Sequence, residues 1–373
     1  MKKILVVASS YYCMRIFLLP HLRHLVEKGW TVHVSSANDG EAVPYAHKQI
    51  DIPICRSPFR CDNLKAVKVL AKHIENERYD IVHCHTPIGA MVARLAARKA
   101  RRSLGTKVIY TTHGLHFYKD APLKNWLLYY TAEKALSPLT DAIITINEED
   151  RSQAARYFPS IKQQFKISGI GYDVERFKRL DLSRRDELRR EYGYDANDFI
   201  CVYLARFCDG KNHQFLLSNM PATIARIPNV KYIFLGEGET IEKCQKLASA
   251  VGVQDKVRFE GFKTDITDCL AIADVGISSS EVEGLGMGLI EEMYAKLPVL
   301  ASDVRGHREL IEDGKNGLLY PLGDVQRYIS QLELLYNDPQ LRKRLGEYAS
   351  QNIDCYRVEN VITEMDAIYD LIK

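Results

Sequence analysis

The chain has 373 residues, room for two domains of about 150 residues or more and for a sizeable buried core. At 46% hydrophobic and 27% charged residues, it is too apolar to be disordered. Net charge is +3, but residues 1–165 hold 24 Lys and Arg against 14 Asp and Glu, and the remainder is acidic. Two domains facing different partners are therefore expected, with no nucleic acid among them.

The opening Met1-Lys2-Lys3 and the apolar run after it resemble the start of a signal peptide. They reach the polar cluster Ser9-Ser10-Tyr11-Tyr12 too soon, so 4–8 reads as a first strand. No apolar run is long enough to span a bilayer. The nine cysteines are scattered and form no C-x-x-C pair, the pattern of reduced thiols in a cytoplasmic protein rather than of a disulfide framework or zinc ribbon. Apolar, β-branched runs follow at 31–35, 80–85, 107–112 and 141–146. A second series lies at 199–205, 231–235, 256–259, 275–278 and 298–301. Most are apolar on both faces, as in parallel strands covered by helices on each side. Amphipathic segments such as 64–77, 88–102 and 240–251 alternate with them, which predicts doubly wound α/β sheets.

About ten strands are too many for one comfortable sheet. The break falls between 146 and 199, and the glycine-punctuated Ile167-Ser168-Gly169-Ile170-Gly171 places a hinge near 169–171. The expected division is 1–168, then 169–352, then a last helix in 353–373 able to cross back to the first domain.

In open α/β sheets, ligands sit off the carboxyl ends of the strands. Those ends carry His83-Cys84-His85-Thr86-Pro87, Thr112-His113-Gly114, Arg206 with Lys211 five residues on, Gly236-Glu237-Gly238, and the loop Glu283-Gly284-Leu285-Gly286-Met287-Gly288. The alternate glycines of that loop allow close backbone approach to a ligand and lead into a helix at 289–296. The N-terminus of that helix favours a phosphate. Glu283 and Glu291 flank the glycines, and a carboxylate beside a phosphate site suits a sugar or ribose hydroxyl. The residues alone thus point to a nucleotide-sugar or other sugar-phosphate ligand. His83 and His85 share one face of a strand, but no third ligand accompanies them, so no metal site is assigned.

Taken together and in order, these motifs resemble the family-4 retaining glycosyltransferases of the GT-B fold, over essentially the whole chain. Glu283 to Glu291 is similar to the family's E-x7-E motif and Arg206 to Lys211 to its R-x4-K pair. Gly236-Glu237-Gly238 resembles its strand-end glycine motif and Thr112-His113-Gly114 its T-H-G/D element. The phrases His83-Cys84-His85-Thr86-Pro87 and Arg305-Gly306-His307-Arg308-Glu309-Leu310 bring it nearest the bacterial capsule and exopolysaccharide branch.

The resemblance implies two Rossmann-like domains facing each other across a cleft, with the acceptor on the first and a nucleotide-sugar donor on the second. It implies that Arg206 and Lys211 bind the donor diphosphate, Glu283 the transferred sugar and Glu291 the ribose. Gly236, Glu237, Gly284, Leu285 and Gly286 line the donor, and His113 lies near the transferred sugar. The leaning from the family is toward a UDP-linked N-acetylhexosamine and a polyprenyl-diphosphate-linked or glycan acceptor. No metal or other cofactor is expected, since no D-x-D occurs in the chain. Two departures stand out. The first loop, Ser9 to Arg15, lacks the family's glycine pair, and Glu292 follows Glu291 where alanine is common.

The basic run Arg94, Arg98, Lys99, Arg101, Arg102, Lys107 suits either a solvated helix end or a patch facing an anionic membrane. With Trp126 nearby it forms the expected acceptor and membrane surface of a peripheral protein on the inner leaflet. A sugar-nucleotide epimerase of the same fold and a non-catalytic sugar-nucleotide sensor are the alternative readings.

Overall fold

The computed structural model describes residues 2–55, 57, 60–118 and 121–372. The chain divides into two compact units, Met1–Gly171 with Val358–Lys373, and Tyr172–Arg357. The dividing points thus lie after Gly171 and Arg357 rather than after 168 and 352. The helix Val358–Leu371 belongs to the first unit, and residues 353–357 stay with the second.

The first unit is a seven-stranded parallel sheet. Its strands are β1 (Lys3–Val7), β2 (Thr31–Ser36), β3 (Lys48–Asp51), β4 (Ile81–His85), β5 (Lys107–Thr111), β6 (Ala142–Thr145) and β7 (Gln163–Lys166). Their spatial order is β3-β2-β1-β4-β5-β6-β7. The centre is apolar on both faces, with Leu5, Val7, Val82 and Val108 fully buried. The helix Asp62–Glu77 lays Ala66, Leu70 and Ile74, one stripe at spacing four, onto this core. It stops at Arg78, which takes the left-handed conformation at φ 51°.

The second unit repeats the plan with six parallel strands: β8 (Phe199–Leu204), β9 (Val230–Leu235), β10 (Val257–Gly261), β11 (Val275–Ser278), β12 (Val299–Ser302) and β13 (Leu318–Tyr320). The order is β10-β9-β8-β11-β12-β13. In each sheet the chain winds outward in one direction, returns to the centre and winds out in the other. That creates a switch point between β1 and β4 and another between β8 and β11, where the loops diverge and leave a crevice.

All ten strands expected from the sequence are present within a residue or two. Three more, β3, β7 and β13, were not expected. Each is three or four residues long and lies at a sheet edge; β3 and β7 are largely polar, while β13, Leu-Leu-Tyr, is apolar but too short to show a strand period. The 88–102 segment is two helices, Pro87–Ala96 and Arg98–Ser103, rather than one.

Candidate active site

The switch point of the second unit gathers most of the expected donor residues. β8 ends at Leu204, and Arg206 follows it with a half-exposed side chain whose guanidinium donates to Glu239 at 3.0 Å. Lys211 closes a short 3-10 turn, Asp209–Lys211. The Lys211 carbonyl accepts from the Tyr203 hydroxyl at 2.8 Å and from Ser279 Oγ at 3.1 Å, which fixes the backbone beneath the side chain. The Lys211 ammonium donates to Glu283 Oε1, and Ser280 Oγ donates to the same oxygen at 2.8 Å. Burial works against both charges. The Lys211–Glu283 attraction outweighs it, so Lys211 stays above the ordinary lysine value and Glu283 below the ordinary carboxylate value. Both groups are therefore charged at neutral pH.

Beyond Glu283 the chain turns through Gly284, buried Leu285 and Gly286 into the helix Met287–Tyr294. Gly286 sits at φ +93°, a conformation that a side chain would strain. A Cβ on Gly288 would strike the Leu204 carbonyl, so only glycine lets this first helical turn lie against the end of β8. The free N–H groups of that turn thus lie beside the segment bearing Arg206. The expected loop Gly236-Glu237 joins the same region: the Gly236 N–H donates to the Gly261 carbonyl and the Glu237 carbonyl accepts from the Phe207 N–H at 2.9 Å. Glu291, one turn into the helix, receives Arg176 at 2.8 Å; burial raises its pKa and Arg176 opposes the rise. Arg176 had no motif to announce it, since it lies 115 residues from its partner.

His307, in the phrase Arg305-Gly306-His307-Arg308-Glu309-Leu310, supports the Glu283 turn. Its Nδ1–H donates to the Ser302 carbonyl at 2.7 Å, leaving Nε2 to accept from Ser278 Oγ at 3.2 Å. Arg305 donates to the Glu283 carbonyl at 3.2 Å. The Arg305–Leu310 helix is thus a brace for the Glu283 turn.

His113 stands at the matching carboxyl end of the first sheet, after β5. It belongs to a cluster: His85 Nδ1 and His113 Nε2 share a hydrogen bond at 3.1 Å, and the His83 and His85 rings lie 4.3 Å apart. His83 bonds the Tyr369 hydroxyl and Thr111 Oγ1, both at 2.7 Å. Burial, helped by repulsion from His21, drives His83 down to about 3 and His113 to about 4, so both are neutral near pH 7. Among the described residues no group of three or more His, Cys, Asp or Glu is placed to hold a metal ion.

The expected acceptor and membrane residues are corrected in three ways. Arg94 is 1% exposed, bonded to Glu133 at 2.7 Å and stacked 4.5 Å from the Tyr110 ring, so it is a core residue. Arg98, Arg101 and Arg102 lie on Arg98–Ser103, which leads into the amino end of β5, while His113 follows its carboxyl end. Arg101 is also paired with Asp141 at 2.6 Å. Trp126 packs on the core and donates to the Tyr118 carbonyl at 3.1 Å. Exposed apolar side chains instead stand at the carboxyl ends, Tyr12, Ile16 and Phe17 after β1 and Leu123 and Leu127 after β5. Among the described residues no helix is long and apolar enough to cross a membrane.

Comparison with known proteins agrees with this geometry. The model "Glycosyltransferase Family 4" matches residues 17–176, and "Glycosyl transferases group 1" matches 184–352. EpsD of Bacillus subtilis (strain 168), which bears a glycosyltransferase's name, is 43% identical over 368 residues, covering 99% of this chain and 96% of EpsD. An Escherichia coli UDP-Gal:alpha-D-GlcNAc-diphosphoundecaprenol alpha-1,3-galactosyltransferase is 23% identical over 85% of this chain and 81% of its own. The solved structure of Anabaena Alr3699/HepE with UDP and glucose superposes with a TM-score of 0.79 at 19% identity, covering 99% of this chain and 100% of that one. Two Rossmann-like sheets, the charged pair at the second switch point and these matches make the chain an enzyme of the family-4 glycosyltransferases with the GT-B fold, in their capsule and exopolysaccharide branch.

Proposed function

We propose that the protein is a retaining glycosyltransferase that moves a sugar from a nucleotide diphosphate, with UDP-N-acetylhexosamine the leading candidate, to a lipid-linked acceptor in surface-polysaccharide assembly. The observation that carries the donor side is the charged Lys211–Glu283 pair beside the glycine turn and helix start, with Arg206 half-exposed next to them. As the bond from the anomeric carbon to the diphosphate oxygen breaks, negative charge grows on the leaving phosphate. Arg206, Lys211 and the helix N-terminus stabilise it there. The acceptor oxygen bonds to the anomeric carbon from the same face, and its proton passes to the departing phosphate oxygen. Glu283 accepts from hydroxyls of the transferred sugar, and Glu291 from the ribose. His113, neutral and hydrogen-bonded to His85, is assigned the role that the family's T-H-G/D histidine implies, a hydrogen bond to the transferred sugar. These cations take the place that a metal would fill.

A UDP donor and a diphosphoundecaprenol acceptor are named for the E. coli relative, and UDP for the HepE structure; they support this reading of the substrates. The exposed apolar residues at the carboxyl ends of β1 and β5, with Lys124 beside Leu123, suit peripheral contact with an anionic inner leaflet carrying that acceptor. Incubation with radiolabelled nucleotide sugars, with and without polyprenyl-diphosphate sugar, tests the proposal. Label moving to lipid only when acceptor is present, and undiminished in EDTA, is the expected outcome. Conversion of donor without acceptor would replace this reading with an epimerase, and binding without turnover would replace it with a sensor.

A further inference from the structure

Directly after Glu291, Glu292 turns inward. It is 1% exposed, and neither carboxyl oxygen has a hydrogen-bond partner of normal geometry in the protein. It lies against Gly276 of β11, where a Cβ would come within 2.7 Å of the carboxyl carbon, so the bare glycine makes its room. The carboxyl borders a cavity of about 20 Å³ lined also by Leu204, Lys211, Ser278, Glu283, Gly288 and His307. A polar space of that size holds one water, and a buried carboxyl strongly favours having one as its partner. Burial drives this carboxyl well above the ordinary carboxylate range; the Leu204 backbone opposes the rise and the Glu291 charge adds to it. The other groups around it offer no countercharge. Lys211 and Glu283 answer each other, Tyr203 on β8 is held in its hydroxyl form by burial, and His307 is kept neutral, chiefly by burial.

We propose that Glu292 is a positioning residue of the donor site: its carboxylic acid, through one water bound in this cavity, ties the Leu204 end of β8 to the first turn of the helix Met287–Tyr294. The proposal rests on the donor reading above. Leu204 leads into Arg206 and that first turn presents the glycine loop, so the tie sets the spacing between two sides of the phosphate cradle. Ionisation of Glu292 would place a negative charge beneath the cradle and loosen it.

The test is calorimetric titration of wild type, Glu292→Gln and Glu292→Ala with UDP, GDP and ADP across neutral to alkaline pH, with thermal unfolding over the same range. Gln, which keeps a donor and an acceptor without a charge, is expected to bind within about twofold of wild type at pH 7 and to lack the wild-type alkaline loss. Ala is expected to bind about fivefold more weakly, the size of one lost hydrogen bond. A folded pKa above the unfolded one costs stability as pH rises, so the Gln variant should gain on wild type in melting temperature toward alkaline pH. The double variant Gly276→Ala/Glu292→Ala, which refills the space with methyl groups, serves if Ala alone does not fold. Equal alkaline losses in wild type and Gln, or Gln as weak as Ala, would overturn the proposal while leaving the donor site standing. If none of the three nucleotides binds wild type, the donor reading falls and this role with it.

Discussion

Replacing Lys211 by Met should separate two roles that the Lys211–Glu283 pair combines. The side chains are 25% and 11% exposed, so each charge has given up most of its water. At ~4 Å between charge centres and an effective dielectric near 20, their attraction is about 4 kcal/mol. Partial exposure and the lost hydration reduce the net coupling to about 2 kcal/mol. Lys211→Met leaves the Glu283 carboxylate with Ser280 as its hydroxyl donor, and should destabilise the fold by about 3 kcal/mol. Glu283→Gln in the same molecule should recover about 2 kcal/mol of that loss, because the orphaned charge is gone. Urea unfolding of wild type, both single variants and the double variant gives the coupling directly. Nucleoside-diphosphate binding should not recover in the double variant, since the cation facing the phosphate is still missing. Additive stability effects within ~0.5 kcal/mol would refute the pairing as an energetic unit. Recovered binding in the double variant would show that Lys211 serves Glu283 and not the phosphate.

Arg206→Ala should weaken nucleoside-diphosphate binding about tenfold with little change in melting temperature, since its pair with Glu239 is exposed; calorimetry beside a thermal melt checks both halves. The histidine cluster should make the protein acid-sensitive: His83 and His113 have folded values near 3 and 4, below the ordinary 6.5. Their contribution is intact above pH 6.5 and is lost as pH falls, by ~2 kcal/mol for each such histidine between pH 6.5 and 5, so equal denaturant stability at pH 7.5 and 5 would contradict their burial. Glu133→Ala should cost about 3–5 kcal/mol by stranding the buried Arg94 charge, and normal stability would restore Arg94 to the surface. Vesicle pelleting should fall when Leu123 and Leu127 are changed to Glu and hold when Arg98 and Arg102 are changed to Ala; the reverse ranking would return the membrane contact to the amino end of the sheet.

The proposed donor site is legible in the sequence because its residues are local. Glu283 to Glu291 and Arg206 to Lys211 are short spacings that a strand-loop-helix unit preserves, and glycines mark where backbone must approach a ligand or another strand. The central strands were legible because burial on both faces demands an unbroken apolar run. The edge strands β3 and β7, with Lys-Gln-Ile-Asp and Gln-Gln-Phe-Lys, carry no such demand. What stayed hidden depends on partners distant in the chain. Arg176 meets Glu291 across 115 residues, and Arg94 meets Glu133 across 39.

The basic run illustrates why counting charges along a chain misplaces a surface. Helix periodicity puts Arg94 on the stripe of Ala90, Ala93 and Ala97, which faces the sheet, and there Glu133 and the Tyr110 ring receive it. Lys99 is spent on Glu75 and Arg101 on Asp141. Lys3 and Lys48, also counted in the excess, share Glu77, which they hold at a pKa of about 2. These pairs leave the net balance of the first half unchanged, because their carboxylates are already in the sum, but they fix several of its cations on particular carboxylates rather than in one open patch. The alternation of a parallel sheet then decides where the remaining contacts act. A helix that leaves the carboxyl end of β4 delivers its last residues to the amino end of β5, so Arg98 and Arg102 are carried away from His113 by the same connection that makes the sheet parallel. Leu123 and Leu127 come after β5 and return to the His113 end. A lipid carrier whose sugar reaches His113 would meet those leucines first, which is why the apolar side chains, rather than the arginines, carry the membrane prediction.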